Sequence, residues 1–418
     1  MNKINFQCII IGGGPAGARA AYELSKTQKD ILIIDYKNKL GDKLCTGIIG
    51  INCVNEFGLD KDLIYHEANV AEIYSPNNNN YSLYSKDSKA MIIDRVEYVQ
   101  RLTDLAKKNG VKIYKNSRVQ SIEINKNHVQ LSYKSLNKIY TITSKTIIIA
   151  SGLENKLLYD VNLKPLEKKH ILNGSQVIIE NHLKIKNTKV FLGSKYGPQG
   201  FGWTVPINKN KLLIGVLTKW KSKEITKSFV KNLLNKYQVF DSNTVEIRTW
   251  GIPIKPIEKT YEERTLIIGD AAGLVKPITG GGIYYSQLSG KIAAEIMDKA
   301  LSKNSFSKND LSEYETKWKN KISSEIKRGN KMREILFNFN DQKLSQLLDF
   351  SLTNKLILKI LLSKEISFDN HFKSFEKFIY NKNIIKIYSD SKSKLIKNII
   401  PNLKNYILNW NYWIFETK

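Results

Sequence analysis

Residues 7–35 read QCIIIGGGPAGARAAYELSKTQKDILIID, and this stretch decides the fold. The apolar run at residues 8–11 predicts a buried strand that leads directly into a glycine-rich turn. Small and apolar residues at helical spacing follow, and a second apolar run at residues 31–34 ends at Asp35. A strand, a glycine turn, a helix and a second strand in this order predict a unit that binds a dinucleotide.

Each glycine of the turn has a separate physical task. Gly12 permits the tight turn, Gly14 leaves room for a pyrophosphate beside the backbone, and Gly17 lets the helix pack closely on the strand. The helix begins with free N–H groups and a positive dipole end, which attract phosphate. Asp35 ends the second strand, where a carboxylate can accept hydrogen bonds from ribose hydroxyls and disfavours a phosphate on that ribose.

A second glycine-rich turn, IIGDAAGLVKPITGGGI at residues 267–283, lies far along the chain. Asp270 follows a short apolar strand and is suited to binding sugar-like hydroxyls. The three glycines at 280–282 let the backbone approach a flat ring, and the helix that starts at Ile283 points its positive end at that ring. FAD has a ribityl chain and needs such a second site, whereas NAD does not. The alternative is that Asp270 only caps a helix.

Composition limits the class of protein. With 418 residues the chain can form two or three structural units, and its three cysteines, Cys8, Cys45 and Cys53, cannot build a disulfide framework. We expect a reducing, cytoplasmic location. No apolar run approaches the ~18–20 residues that span a bilayer. The five histidines are scattered without metal-ligand spacing, so we expect no metal.

The formal net charge is +27 and has two interpretations. A basic surface could meet phosphates, either on anionic lipid or on nucleic acid. Alternatively, the charge reflects a composition rich in Lys, Asn, Ile and Tyr, because the lysines are spread over the whole chain. No RNA-binding module is recognisable, so we expect no nucleic-acid partner.

Four motifs together resemble the geranylgeranyl reductase family of FAD-dependent oxidoreductases, which has the fold of p-hydroxybenzoate hydroxylase. Two are the glycine turns already described. The others are LGDKLCTG at residues 40–47 and IDRVEYVQRL at 93–102. The second glycine turn ends in PITGGGI, as in the reductases, and lacks the histidine that aromatic hydroxylases usually carry after GDAA. The resemblance implies these FAD contacts: Gly12, Gly14, Ala16, Gly17, Asp35, Cys45, Thr46, Gly47, Arg95, Val119, Asp270, Gly282 and Ile283.

A fifth segment, GFGWTVP at residues 200–206 with Gly215 later, is similar to the YxWxFP…G motif of the family. The resemblance implies that Phe201, Trp203 and Pro206 contact an isoprenoid chain. Phe201 replaces the tyrosine of the motif and Val205 replaces its phenylalanine, so the apolar character is retained and a hydroxyl is lost. The alternative is an ordinary aromatic strand.

Two further positions qualify the resemblance. Cys45 lies in the cysteine–glycine loop that relatives place beside the flavin, so it is a candidate catalytic residue; the alternative is a small residue that fits a tight loop. Ser151, in Ala-Ser-Gly, stands where relatives often have aspartate, which weakens the expectation of direct reduction by NADPH.

The pattern predicts an α/β fold with a Rossmann-like FAD-binding domain, an inserted antiparallel β-sheet domain for substrate and a helical C-terminal region. The FAD domain is assigned to 1–70, 91–160 and 246–300, the sheet domain to 71–90 and 161–245, and the helical region to 301–418. Apolar residues at helical spacing near the C-terminus, flanked by lysines, indicate either an amphipathic helix on an anionic membrane or a helix packed on the core. The apolar stripe comprises Leu395, Ile396, Ile399, Ile400, Leu403, Tyr406, Ile407, Trp410, Trp413 and Ile414.

The resemblance implies an enzyme that saturates carbon–carbon double bonds of a geranylgeranyl-type chain. The electron donor would be NAD(P)H or ferredoxin, and the protein would be cytoplasmic or peripheral on the membrane. One alternative is a flavin monooxygenase acting on an aromatic or quinone. Another, motivated by the charge, is a flavoprotein that binds and modifies tRNA.

Overall fold

A computed structural model describes residues 4–154, 156–208, 210–237, 246–354, 358 and 367–370. The nine helices of these residues are α1 (Pro15–Leu24), α2 (Ile51–Phe57), α3 (Arg95–Lys108), α4 (Lys156–Asp160), α5 (Ser222–Lys236), α6 (Ile283–Lys303), α7 (Lys308–Trp318), α8 (Ser324–Leu336) and α9 (Asp341–Thr353). Their strands are β1 (Phe6–Ile11), β2 (Ile31–Ile34), β3 (Ile48–Gly50), β4 (Ile64–Ala68), β5 (Val70–Tyr74), β6 (Asn80–Tyr84), β7 (Ala90–Ile93), β8 (Lys112–Tyr114), β9 (Ser117–Ile124), β10 (Val129–Ser135), β11 (Lys138–Ile149), β12 (Ile171–Glu180), β13 (Thr188–Leu192), β14 (Phe201–Pro206), β15 (Lys211–Thr218), β16 (Arg248–Pro253), β17 (Tyr261–Glu262) and β18 (Thr265–Ile267).

The first sheet has eight strands, and its main path runs in the order β17-β18-β11-β1-β2-β8. β1 pairs in parallel with both β2 and β11, and β9 and β10 form an antiparallel extension beside β11. The central strands are continuous apolar runs, and Ile9 and Ile10 are fully buried. Such runs are typical of parallel strands covered on both faces, which confirms the predicted Rossmann-like unit.

Helices α1 and α6 cover one face of this sheet and contact each other closely. A Cβ on Gly290 of α6 would lie 2.5 Å from the carbonyl oxygen of Ala16, so only glycine allows this approach. The buried guanidinium of Arg19 donates to Gln287 at 2.6 Å and to Glu23 at 2.9 Å. This packing brings the starts of the two helices that follow the two glycine turns to the same edge of the sheet.

The second sheet has seven strands in the order β16-β12-β15-β14-β13-β5-β6, antiparallel except where β13 meets β5. Its strands alternate between two apolar faces, as the pleat requires. On β15, Ile214 and Val216 pack beneath α5, while Leu213 and Leu217 face the opposite way, toward the first sheet. This sheet is the antiparallel layer that the sequence predicted.

One boundary of the predicted FAD domain differs from the structure. Residues 246–300 were assigned to that domain, but β16 pairs with β12 over six residues and belongs to the second sheet. The indole of Trp250 packs over Gly174 of β12. A side chain at position 174 would overlap this ring, so the packing requires glycine. The chain therefore returns to the first sheet only at β17. A small third sheet, β3-β7-β4, was also not anticipated.

The described part of the C-terminal region is helical, as predicted. The polar stretch before α7 caps that helix: Ser307 and Asp310 form a reciprocal capping box. The apolar stripe of residues 395–414 lies outside the described residues. Within the described part, no helix is long and apolar enough to cross a membrane.

Candidate functional site

A cavity of about 430 Å³ lies between the carboxyl edge of the first sheet and the apolar face of the second. Of the residues predicted to bind cofactor or substrate, Gly17, Gly47 and Pro206 lie outside its lining. The structure brings the others together around this one cavity: Gly12, Gly14, Ala16, Asp35, Cys45, Thr46, Arg95, Val119, Phe201, Trp203, Asp270, Gly282 and Ile283.

The first glycine turn has the geometry of a phosphate cradle. Gly12 has a φ of +105°, and a Cβ there would overlap the backbone of Ala150. A Cβ on Gly17 would overlap the carbonyl oxygen of Gly12, so Gly17 acts in packing rather than in lining the cavity. Gly14 is the N-cap of α1, has no capping side chain, and has open space where a Cβ would stand. That space and the uncapped helix start suit an anion.

Asp35 links the first turn to the second strand of the unit. Its carboxylate accepts hydrogen bonds from the N–H of Gly13 at 2.6 Å and of Lys37 at 2.8 Å. The side chain is buried yet lines the cavity. It therefore holds the glycine turn in place while remaining within reach of a ligand.

Arg95 organises the loop that carries the cysteine motif. Its guanidinium donates to the carbonyl oxygens of Gly41 and Lys43, while its Nε has no partner. Lys43 in turn forms an ion pair with Asp270 of the second turn. Two motifs far apart in sequence are thus joined at the cavity by an ion pair.

Cys45 is half-buried and lines the cavity, and its Sγ accepts the N–H of Gly47 at 3.4 Å. Gly47 has a φ of +76°, and a Cβ there would lie 2.6 Å from the carbonyl oxygen of Ile93. Gly47 therefore shapes the loop from behind. The thiols of Cys8 and Cys53 are buried elsewhere, and burial raises the pKa of Cys8 to about 12.

This difference predicts the pattern of alkylation. At pH 8, iodoacetamide is expected to modify Cys45 in the folded protein, whereas Cys8 and Cys53 react only after denaturation, because buried thiols with raised pKa form little thiolate. Bound FAD is expected to slow the reaction of Cys45. Peptide mass spectrometry would measure each site, and labelling of Cys45 at the same rate with and without FAD would contradict the prediction that Cys45 lies beside the cofactor.

The second glycine turn is contacted by a side chain of the C-terminal helix α8, and the sequence did not predict this contact. Arg333 of α8 donates to the carbonyl oxygens of Pro277 at 3.1 Å and Ile278 at 3.2 Å, and also to that of Gln199 just before β14. Burial lowers the pKa of Arg333 to about 10. The Arg333 side chain thus joins the second glycine turn to the second sheet.

A buried ion pair lies under the same turn. Lys276 packs against Gly281, its Nζ donates to the carbonyl oxygen of Phe368 at 2.8 Å, and the same Nζ lies 3.8 Å from the Asp369 carboxylate. Asp369 also accepts the N–H of Gly50 at 3.1 Å and of Cys53 at 2.9 Å, at the start of α2. Nothing in the local sequence around Asp369 indicates these partners.

The second sheet supplies an apolar wall. Trp203 is 8% exposed and pairs with Gly215 on the neighbouring strand, where a Cβ would overlap the indole ring. Phe201 lies beside it, with ring centroids 5.6 Å apart. Because Gly215 has no side chain, the indole of Trp203 can pack directly against the neighbouring strand. Other apolar residues of the sheet line the cavity: Val190, Val205, Leu217, Trp250 and Ile252.

Buried polar atoms without partners indicate that the cavity receives a ligand. Such atoms normally find a hydrogen bond. Five cavity-lining side chains carry a buried atom that has no partner within the protein: Arg95 Nε, Ser151 Oγ, Thr188 Oγ1, Trp203 Nε1 and Thr279 Oγ1. Together with the uncapped start of α1, these donors and acceptors fit a flavin dinucleotide.

The fold and the site together define a flavin-dependent oxidoreductase. A family model described as pyridine nucleotide-disulphide oxidoreductase matches residues 6–194. Among solved structures, a geranylgeranyl bacteriochlorophyll reductase-like protein from Thermoplasma acidophilum is similar, with a TM-score of 0.79 and 22% identity over 95% of this chain and 98% of that chain. The p-nitrophenol 4-monooxygenase of Pseudomonas putida shares the fold more distantly, with a TM-score of 0.65 and 14% identity over 87% of this chain and 97% of that chain.

Curated relatives point to a narrower class of oxidoreductase. The digeranylgeranylglycerophospholipid reductase of Methanocaldococcus jannaschii is 28% identical over 89% of this chain and 99% of its own length. The enzyme of the same name from Methanococcus vannielii is 28% identical over 82% of this chain and 90% of its own length. These relatives confirm the resemblance to geranylgeranyl reductases that the motifs predicted.

Proposed function

We propose that this protein is an FAD-dependent reductase that saturates carbon–carbon double bonds of a geranylgeranyl-type isoprenoid chain. One observation carries the proposal: the dinucleotide turn and the apolar wall around Trp203 face each other across a single cavity. A polyprenyl chain needs such an apolar wall, and the similarity to reductases of isoprenoid lipids supports the same reaction. FAD, rather than another flavin, is supported by the presence of a pyrophosphate cradle.

We propose that different residues bind different parts of FAD. The turn at residues 12–17 would hold the pyrophosphate, Asp35 the adenosine ribose, Asp270 the ribityl hydroxyls and residues 280–282 the edge of the ring. The start of α6 directs its positive end to that edge. Reduced FAD, when bound, supplies a hydride equivalent. We retain the proposal of a discontinuous FAD domain with an inserted sheet domain, and we place the end of the inserted domain just before β17.

The protein's main catalytic contribution is alignment in a dry cavity. An isolated alkene is a poor electrophile, so close positioning and exclusion of water contribute more than strong acids or bases. Phe201 and Trp203 would pack against the isoprenoid chain and position it beside the flavin. Cys45 is our candidate for a role in protonating the second alkene carbon, because its Sγ is near the cavity surface.

A redox donor and a location follow from the proposal. Ser151 lines the cavity without a carboxylate, which favours ferredoxin over direct reduction by NAD(P)H. A polyprenyl lipid resides in membranes, so we propose peripheral contact with a membrane from the cytoplasm.

The test uses the purified protein, loaded with FAD and reduced chemically. Incubation with geranylgeranyl diphosphate, geranylgeraniol and digeranylgeranyl phospholipid is followed by mass spectrometry of the products. A gain of two hydrogens per double bond is the expected result. Failure to bind FAD, or unsaturated products in all three cases, would overturn the proposal. Oxygen consumption coupled to a gain of one oxygen on an aromatic substrate would instead identify a monooxygenase.

Replacement of Asp270 by alanine tests the ribityl assignment. FAD affinity is expected to fall about tenfold or more, because a hydrogen bond to a charged group contributes ~1.5–3 kcal/mol. Apoprotein stability should change little, since the ion pair with Lys43 is partly exposed. Fluorescence titration of FAD measures the affinity. The control is Lys43→Met, which removes the ion pair but leaves the carboxylate; normal FAD affinity in Asp270→Ala would refute the assignment.

Substitution of Gly215 tests the apolar wall. Alanine at this position would displace the indole of Trp203 into the cavity, so chain reduction is expected to fall at least about tenfold while FAD affinity stays within about twofold. The control is Val216→Ala on the same strand, which faces α5 and should cost stability without this selective loss. An unchanged rate with Gly215→Ala would show that Trp203 does not position the chain.

A further inference from the structure

Three strands of the second sheet reach one edge, and cationic side chains cluster there. β12 begins at this edge, and β15 and β16 end at it, since Thr218 pairs with Asn173 and Pro253 pairs with Ile171. We call the cluster the cationic edge; it consists of Lys169 and His170 before β12, Lys219 after β15 and Lys255 after β16.

The members of the cationic edge are close to one another. Lys219 Nζ donates to the carbonyl oxygen of Lys169, and the carbonyl of His170 accepts the N–H of Ile254 at 3.0 Å. Burial, together with the charges of Lys255, Lys169 and Lys219, lowers the pKa of His170. The three lysines therefore concentrate positive charge on a small area.

This charge is only partly compensated. Glu167 forms an ion pair with Lys169 at 2.8 Å. Among the described residues, Lys219 and Lys255 form no ion pair with a carboxylate, and Lys219 Nζ donates only to the backbone carbonyl of Lys169. One carboxylate against three lysines leaves a local excess of positive charge that an external anion can neutralise.

The cationic edge adjoins the cavity. Leu217 and Ile252 line the cavity and pack against Gly280 of the second glycine turn. Lys219 and Lys255 follow these two residues along the strands, so their backbones lie within about 10 Å of the apolar wall. Trp220, 54% exposed, stands beside Lys219. Cations and an exposed indole next to an apolar cavity are the combination that suits an anionic lipid head group.

We propose that the cationic edge binds the phosphate of the isoprenoid substrate while its chain occupies the cavity. The inference rests on the proposed function and adds the place in the fold where the phosphate or diphosphate of such a substrate is held. Phosphate is favoured over an acidic protein surface, because the charged area is small and continuous with an apolar wall.

The experiment compares two variants from which the same charge is removed. Lys219→Gln/Lys255→Gln alters the cationic edge, whereas Lys227→Gln/Lys231→Gln alters exposed positions on α5, which covers the opposite face of the sheet. KM is measured with geranylgeranyl diphosphate and with geranylgeraniol, which has the same chain without the charge. Direct binding of both compounds to the FAD-loaded protein is measured by calorimetry.

For the cationic-edge variant we expect KM and Kd for the diphosphate to rise about tenfold or more, with little change for the alcohol and for kcat. The α5 variant should resemble the wild type. Equal affinity of wild type and cationic-edge variant for the diphosphate would overturn the inference. If no compound is reduced, the proposed function fails, while the calorimetric comparison still decides the phosphate site.

Two further arms identify the source of the phosphate. Binding to vesicles of anionic digeranylgeranyl phospholipid should weaken in the cationic-edge variant if a membrane lipid is the substrate, whereas a defect confined to the soluble diphosphate indicates a free isoprenyl diphosphate. Loss of reduction by an acidic iron–sulphur donor, with diphosphate binding unchanged, would assign the edge to a protein partner instead and refute the phosphate site.

Discussion

Gly17→Ala is expected to abolish FAD binding and to lower the free energy of unfolding by about 2 kcal/mol. The added Cβ would overlap the carbonyl oxygen of Gly12, and the backbone of the turn cannot move aside without separating α1 from β1. The ~1 kcal/mol that alanine gains in helix propensity is smaller than the ~1–3 kcal/mol or more that overpacking costs. Denaturant titration of the apoprotein and fluorescence titration with FAD measure the two effects.

Gly14→Ala is the matched comparison. No atom lies within 4 Å of the Cβ that it would add, and Gly14 has a φ of −74°, so the apoprotein should lose at most about 1 kcal/mol at this N-cap. FAD affinity should nevertheless fall strongly, because the methyl group occupies the space proposed for the pyrophosphate. Wild-type FAD affinity in Gly14→Ala would place the pyrophosphate elsewhere.

Asp369→Asn is expected to lower the free energy of unfolding by about 3–5 kcal/mol, because it removes the carboxylate that forms an ion pair with buried Lys276 and leaves, among the described residues, only the charge of Glu325 near it. Burial already lowers the pKa of Lys276. The unfolded state then binds its proton more tightly than the folded state, so raising the pH through the folded pKa should restore part of the lost stability. Denaturant titrations across pH 7–10 would measure this slope.

The double variant Lys276→Met/Asp369→Leu separates charge from packing. Removal of both charges should restore most of the stability that Asp369→Asn loses, since neither Lys276 nor Asp369 is then buried as an unpaired ion. An Asp369→Asn protein as stable as the wild type, with no dependence on pH, would show that Lys276 stays charged and solvated in the folded state.

Much of the fold followed from local patterns. The strand before Gly12, the helix after it and the strand that ends at Asp35 are each specified by residues close together in sequence. The inserted antiparallel sheet was also predicted, and β12 and β15 are two of its strands. The assignment of β16 failed because its partner, β12, lies far away along the chain, and the covering of Gly174 by Trp250 is visible only after folding.

The candidate site shows the same division. Its glycine turns could be predicted because several of their residues meet a local requirement, such as the positive φ of Gly12 or the free helix start at Gly14. The supports of the site could not: Arg333 reaches Pro277 and Gln199 from a separate helix, and Asp369 reaches Gly50 and Lys276 from another segment. Arg333 and Asp369 belong to no sequence motif. Their partners are distant along the chain, so only the folded structure shows these contacts.

By itself the sequence determined the dinucleotide unit and the second glycine turn, because backbone geometry and side-chain periodicity act over a few neighbouring residues. The aromatic strand with its Gly215 was predicted from its resemblance to a family motif. Only the tertiary structure decided that these pieces line one cavity, that Arg333 and Lys276 hold the second turn, and that Lys169, Lys219 and Lys255 share an edge. The physical reason is that burial and charge pairing depend on which residues meet in space.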